Sequence, residues 1–295
     1  MHKIDFIAEV SSNHNRDLTR MKEFIHASGE AGCSGVKFQL FKIDKLFSPE
    51  ILSKSENHRN RKEWELPVEY IPELADLTHS LGLSFSCTPF YLEAIDGLNP
   101  YVDFYKIASY ELLWNDLFEK CGNTEKPVIF STGMATLDEV ERALKCLLNT
   151  KTKQITVLHC NSAYPTPIKD ANLAGIHILK EMINKIGNSN QIDITVGYSD
   201  HTVSPAVLYR AIHHYDVNFI EFHIDLDGKG AEYQSGHCWL PDQISEVIAN
   251  VNSGLEADGK KIFEPSQSEL PDRDWRADPV DGLRPLKEIR ESFGK

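Results

Sequence analysis

Short runs rich in β-branched and aromatic residues alternate along the chain with longer stretches of helical periodicity. The runs lie at 4–10, 36–40, 83–87, 102–107, 128–131, 155–160, 194–198 and 217–223. Between them, apolar residues recur at three- and four-residue steps, as at Leu137, Val140, Leu144, Leu147 and Leu148. Thr136 precedes that stretch and Glu139 follows Thr136 by three, the spacing of a capping box. Asp17, Asp170 and Ser204, the last before Pro205, are predicted to start three further helices. Strands alternating with helices predict a parallel sheet, and eight of them predict its closure. The expected fold is α/β, a (β/α)8 TIM barrel in a single domain. The barrel is expected over residues 1–262, with a polar, proline-bearing tail over 263–295 that is too short for another domain. A long, charged insertion, Lys42–Tyr70, separates the second strand from its helix. A loop of that size at a strand's C-terminal end points to function.

Composition narrows the picture. A chain of 295 residues with 41% apolar and 25% charged residues can bury a large core and remain soluble. The net charge of −13 argues against nucleic acid and anionic membranes as partners. An anionic substrate would therefore need a local cluster of cations. The six cysteines form no CxxC pair, and reduced cytosolic thiols are the simplest reading. The first ten residues carry Asp5 and Glu9 within an apolar run, unlike a signal peptide, and no stretch of about 18 apolar residues exists to span a membrane. A cytoplasmic protein is expected.

In a parallel barrel the C-terminal strand ends gather around one pocket, so their polar residues are read together. They include Glu9, Lys37, Gln39, Thr88, Lys106, Ser109, Glu111, Ser131, Ser162, Tyr164, Ser199, Asp200, His201, Glu221 and His223. Two lysines among hydroxyl donors suit a phosphate or carboxylate. Two histidines ending adjacent strands suit a divalent metal with open positions, and carboxylates can move protons. No dinucleotide fingerprint or GK[ST] phosphate loop is present. Each residue also has a plainer reading. Strand lysines often face solvent, although helices cover the outside of a barrel. A single histidine is more often structural than a ligand. Ser131 and Thr132 can open a turn, and Glu221 can be a salt-bridge partner.

Eight segments, IAEVSSNHNRD, GVKFQLFK, SCTPF, YKIASYE, VIFSTGMAT, LHCNSAYPTP, VGYSDHT and FIEFHIDLD, occur in order, one per strand, between about Ile7 and Asp227. Together they resemble the sialic acid synthase family, the N-acetylneuraminate synthases and their relatives. That resemblance implies a transferase that condenses phosphoenolpyruvate with an aldose, N-acetylmannosamine-like or another sugar, giving a 2-keto-3-deoxy sugar acid of the sialic or nonulosonic type. By the same resemblance, His201 and His223 hold a divalent metal, Mn²⁺ or Mg²⁺. Lys37, Thr88, Lys106, Ser109, Ser131, Ser162 and Ser199 match positions that bind phosphoenolpyruvate. Gln39, Glu111 and Tyr164 match positions beside the sugar. Glu9, Lys37, Lys106 and Glu111 are the implied catalytic side chains, and Asp200 is a candidate to orient His201 or a metal-bound water.

The chain departs from the family pattern in two places. Most full-length members carry an antifreeze-like domain after the barrel, which lends an arginine to a partner subunit; this chain stops near the barrel's end. The family's PGPDH-type stretch reads DGKGAEYQSGHCWLP here, from Asp227 to Pro241. Both departures are expected on the sugar side of the site, so the acceptor sugar is open. A related synthase acting on a different or phosphorylated aldose is one alternative, and a silent barrel that binds phosphoenolpyruvate or a sugar is another. A homodimer is expected, its pocket closed by the insertion, by the Asp227–Pro241 loop, or by a partner's tail.

Overall fold

A computed structural model describes residues 4–186 and 192–294. It divides the chain into two compact units, Met1–Ser253 and Gly254–Lys295. In the first, eight parallel strands form the barrel: β1 Asp5–Glu9, β2 Gly35–Leu40, β3 Ser84–Pro89, β4 Tyr105–Ile107, β5 Val128–Ser131, β6 Gln154–Cys160, β7 Asp193–Asp200 and β8 Phe219–Ile224. The helices that follow them are α1 Leu18–Glu30, α2 Ile71–Ser80, α3 Leu92–Leu98, α4 Asn115–Gly122, α5 Leu137–Leu148, α6 Gly175–Ile186, α7 Pro205–His213 and α8 Pro241–Ala257. The sheet runs β3-β2-β1-β8-β7-β6-β5-β4, and a single bridge, Ser86 to Phe104, closes the ring between β3 and β4. β4 is shorter than its apolar run predicts. The Asp103 carboxylate accepts the Phe85 amide at 2.7 Å, and Ser86 Oγ donates to the Phe104 carbonyl at 2.8 Å, so side chains replace ladder bonds there. The second unit contains a 3-10 turn, Leu270–Trp275, and a helix, Lys287–Ser292, with Arg290 bonded to Asp281 at 2.7 Å.

Helix starts follow local chemistry. Asp17 caps α1 by accepting from the Thr19 amide at 2.8 Å. At α5 the predicted capping box is complete: Thr136 N donates to Glu139 Oε2 at 2.8 Å, and Glu139 N to Thr136 Oγ1 at 3.4 Å. Its buried face is Val140, Ala143, Leu144 and Leu147, while Leu137 is exposed. Asp170 does not start α6. It ends a 3-10 turn whose last carbonyl accepts from Asn161, and the helix begins at Gly175, packed so closely on His159 that a Cβ would lie 2.7 Å from the ring. The insertion is ordered, with helices at Ile43–Leu46, Pro49–Lys54 and Glu56–Asn60.

Alternation along the strands builds the interior in layers. Ile7, Phe104, Ile129, Leu158 and Phe219 fill one buried apolar layer. Gly197 belongs to it for steric reasons, since a Cβ there would sit 2.6 Å from Leu158 Cδ2 and 2.6 Å from the Phe219 carbonyl oxygen. Two residues further along the same strands, nearer their C-terminal ends, stand Glu9, Lys106, Ser131, Cys160, Ser199 and Glu221. The apolar layer is thus the floor of a polar one.

Candidate active site at the barrel mouth

The polar layer is a buried network of paired charges. Lys37 Nζ forms an ion pair with Glu9 Oε2, lies 3.7 Å from Glu221 Oε2 and donates to Thr88 Oγ1 at 3.1 Å. Lys106 Nζ lies 3.3 Å from Glu221 Oε1, which also accepts from Ser199 Oγ at 3.1 Å. The other Glu9 oxygen accepts the Ser11 amide at 2.7 Å. Burial lowers the Lys37 ammonium to about 8 against the pull of Glu221. Burial works to raise Glu221, but Lys106 and Lys37 outweigh it and hold the carboxyl at about 2. The lysines therefore face inward, and the solvated-face reading is wrong for both.

The loops after β4, β5 and β6 form a small hydroxyl cradle. Ser109 Oγ accepts the Gly133 amide at 3.0 Å, and a Cβ at Gly133 would fall 2.0 Å from Ser162 Oγ and 2.8 Å from Ser109 Oγ. Ser131 Oγ and Ser162 Oγ are buried with no protein partner. Buried hydroxyls are rarely left unpaired, so free donors at the same strand ends as two buried ammonium groups suit a multiply charged oxyanion. Glu111, on the turn Ser109–Glu111, has one oxygen buried and unpartnered; burial pushes its carboxyl up to about 7, against the pull of Lys106. Gln39, half-buried, pairs in register with Thr88 and shares the face of Lys37 two residues before it.

The histidines form the other side. β7 and β8 pair with Asp200 opposite Phe222, so His201 and His223 follow one residue later on neighbouring strands, with ring centroids 5.2 Å apart. His201 Nδ1 donates to the Asn161 carbonyl at 2.7 Å, so in the neutral ring Nε2 is the nitrogen that carries the lone pair. Burial lowers His223 to about 4, so its ring is neutral near pH 7. The Tyr164 ring lies 4.2 Å from that of His201. These donors fit a divalent cation. Asp200 is held by its surroundings. Its carboxylate accepts from Thr202 N at 3.0 Å, Thr202 Oγ1 at 2.6 Å and Trp239 Nε1 at 3.0 Å.

Two residues that sequence reasoning missed stand against His223. Glu232 Oε2 is 3.3 Å from His223 Nδ1 and 3.5 Å from His237 Nε2. The altered Asp227–Pro241 stretch supplies both, held by a short strand β9, Cys238–Trp239, that pairs with β8. The signal available beforehand was a histidine and a glutamate within the one segment that departs from the family pattern.

Comparison with known proteins gives the family and supports the fold. The profile of the NeuB family matches residues 24–263. The pseudaminic acid synthase of Helicobacter pylori is 36% identical over 210 residues, 67% of this chain and 58% of that protein. The N,N'-diacetyllegionaminic acid synthase of Campylobacter jejuni is 31% identical over 282 residues, 91% of this chain and 81% of that protein. The crystal structure of N-acetylneuraminic acid synthetase from Leptospira borgpetersenii superposes with a TM-score of 0.77 at 25% identity, covering 92% of this chain and 90% of that one. Among the described residues, no helix is long and apolar enough to cross a membrane.

Proposed function

The chain belongs to the NeuB family, and from that premise we infer that it condenses phosphoenolpyruvate with an aldose to give a 2-keto-3-deoxy sugar acid and phosphate. The observation that carries this reading is the set of buried cations and free hydroxyls at the C-terminal strand ends: Lys37 and Lys106, with the unpartnered hydroxyls of Ser131 and Ser162. Thr88, Ser109 and Ser199 complete the phosphoenolpyruvate side. Gln39, Glu111 and Tyr164 line the sugar side. C3 of phosphoenolpyruvate bonds to the aldehyde carbon, and the aldehyde oxygen takes up a proton. Glu111, whose carboxyl sits near 7, is suited to donate it. Water adds at C2 and loses a proton to a carboxylate, a role assigned here to Glu9. The C2–O bond to the phosphoryl group then breaks, the C2 hydroxyl proton leaves with the phosphate, and the keto group forms. Lys37 and Lys106 stabilise the departing phosphate, because fixed cations in a dry pocket act far more strongly than in water. A divalent ion at His201 and His223, Mn²⁺ or Mg²⁺, supplies electrophilic charge to the aldehyde oxygen when bound. Exposed Tyr110, Leu113, Met134 and Ile168, on the loops after β4, β5 and β6, support a homodimer covering the mouth.

The test is phosphate release from phosphoenolpyruvate with Mn²⁺ and a panel of N-acetylated, diacetylated and phosphorylated aldoses, with products identified by mass spectrometry. Release that requires an aldose and yields the summed sugar acid supports the reading. Binding of phosphoenolpyruvate without turnover on any aldose would favour a silent barrel.

A further inference from the structure

The reading above places two histidines on the ion. The loop after β8 offers more. His223, Glu232, His237 and Cys238 present donor atoms that all lie within 4.8 Å of one another. Glu232 Oε2 stands 3.3 Å from one imidazole nitrogen and 3.5 Å from another, yet His223 Nδ1, His237 Nε2 and Glu232 Oε2 make no hydrogen bond and are buried. His237 is 3% exposed, and neither of its ring nitrogens has a hydrogen-bond partner within normal geometry. Leaving such groups unpaired is costly unless something else sits between them. Two ligands about 2.1 Å from one ion at a tetrahedral angle are about 3.4 Å apart. The two observed separations match that edge.

The loop is built to hold this carboxylate in place. Glu232 Oε1 accepts from Ser11 Oγ at 2.6 Å, and the Glu232 amide donates to Asn13 Oδ1 at 2.8 Å. That leaves Oε2 turned toward the imidazoles. Gly230 lets the loop pass, since a Cβ there would lie 2.3 Å from Asp225 Oδ1 and 2.5 Å from Asn13 Oδ1. Asn13 Nδ2 also bonds Cys238 Sγ at 3.4 Å, which gives the thiol a partner of its own. Groups that orient a ligand through its second atom are typical of built metal sites.

We propose that Glu232 and His237 are additional ligands of the divalent ion, so that this chain holds it through His201, His223, His237 and Glu232. The proposal rests on the metal reading of the two strand-end histidines and extends it to the loop after β8. Three imidazoles and one carboxylate favour Mn²⁺, Co²⁺ or Zn²⁺ over Mg²⁺, which prefers oxygen and water.

The test is equilibrium binding of Mn²⁺ to the metal-stripped full chain, read by electron paramagnetic resonance, for wild type and for Glu232→Gln, His237→Gln, His201→Gln and His223→Gln, each checked for native circular dichroism. The expected result is one tight site, a loss of at least about tenfold in affinity for both Glu232→Gln and His237→Gln, and weak competition by Mg²⁺. In wild type, pulsed spectra should show three histidine nitrogens on the ion, a readout independent of whether any variant folds. Unchanged affinity in Glu232→Gln and His237→Gln with loss in His201→Gln and His223→Gln, or only two nitrogens, overturns the proposal and leaves the two-histidine reading standing. No binding by wild type overturns both.

Discussion

Replacing Glu111 by Gln should stabilise the protein in alkaline buffer and not in acid. The Glu111 carboxyl is raised from 4.5 to about 7, chiefly by burial, with Lys106 pulling the other way. At about 1.4 kcal/mol per pH unit, keeping it ionised in the folded state costs about 3 kcal/mol at most. The sign follows from proton counting. Between pH 4.5 and 7 the folded chain holds a proton that the unfolded chain releases, so wild-type stability falls as pH rises through that window, and the cost is complete above 7. Glutamine has no charge to desolvate. The variant should match wild type near pH 4.5 and gain up to about 3 kcal/mol by pH 8. At roughly 2 °C per kcal/mol for a chain of this size, that is a Tm difference opening to about 6 °C. Thermal unfolding of the two proteins, without metal or substrate, from pH 4.5 to 8.5 measures it. A difference that stays constant with pH, or one favouring wild type at pH 8, would refute the assignment of a burial-raised carboxyl.

Lys106→Met removes the ammonium 3.3 Å from Glu221 and leaves that carboxylate with Lys37 at 3.7 Å. It should cost about 3 kcal/mol in denaturant unfolding and raise the KM for phosphoenolpyruvate in the phosphate-release assay; unchanged values in both would remove Lys106 from the anion site. Gly133→Ala places a methyl 2.0 Å from Ser162 Oγ, so it should cost about 1–3 kcal/mol and weaken phosphoenolpyruvate binding measured by calorimetry, while wild-type affinity would move the cradle elsewhere. Trp239→Phe loses the indole donor 3.0 Å from Asp200, a bond to a buried carboxylate worth about 1.5–3 kcal/mol, and thermal denaturation should show that loss.

Periodicity was enough to place the barrel strands and the polar residues at their C-terminal ends. A two-residue alternation commits Glu9 to the face of Ile7, Lys106 to that of Phe104 and Glu221 to that of Phe219, so an apolar floor with a polar layer above it follows from the strands themselves. The capping box at Thr136 and Glu139 is equally local and was legible for that reason. Asp170 misled because the same side chain suits a helix start and a 3-10 turn, and the packing of Gly175 on His159 chose between them. The charge pairs joining Lys37 to Glu9 and Lys106 to Glu221 depend on neighbours about thirty to more than one hundred residues apart in sequence, which only barrel closure brings together. Glu232 and His237 lie in a stretch with no period, and their position is set by Ser11 and Asn13 on the neighbouring loop after β1 and by β9 on β8. Local pattern carries information over one strand or one helical turn. Where side chains from β1, β8 and the loop after it converge, the free energy lies in contacts between distant segments, and the tertiary structure alone decides them.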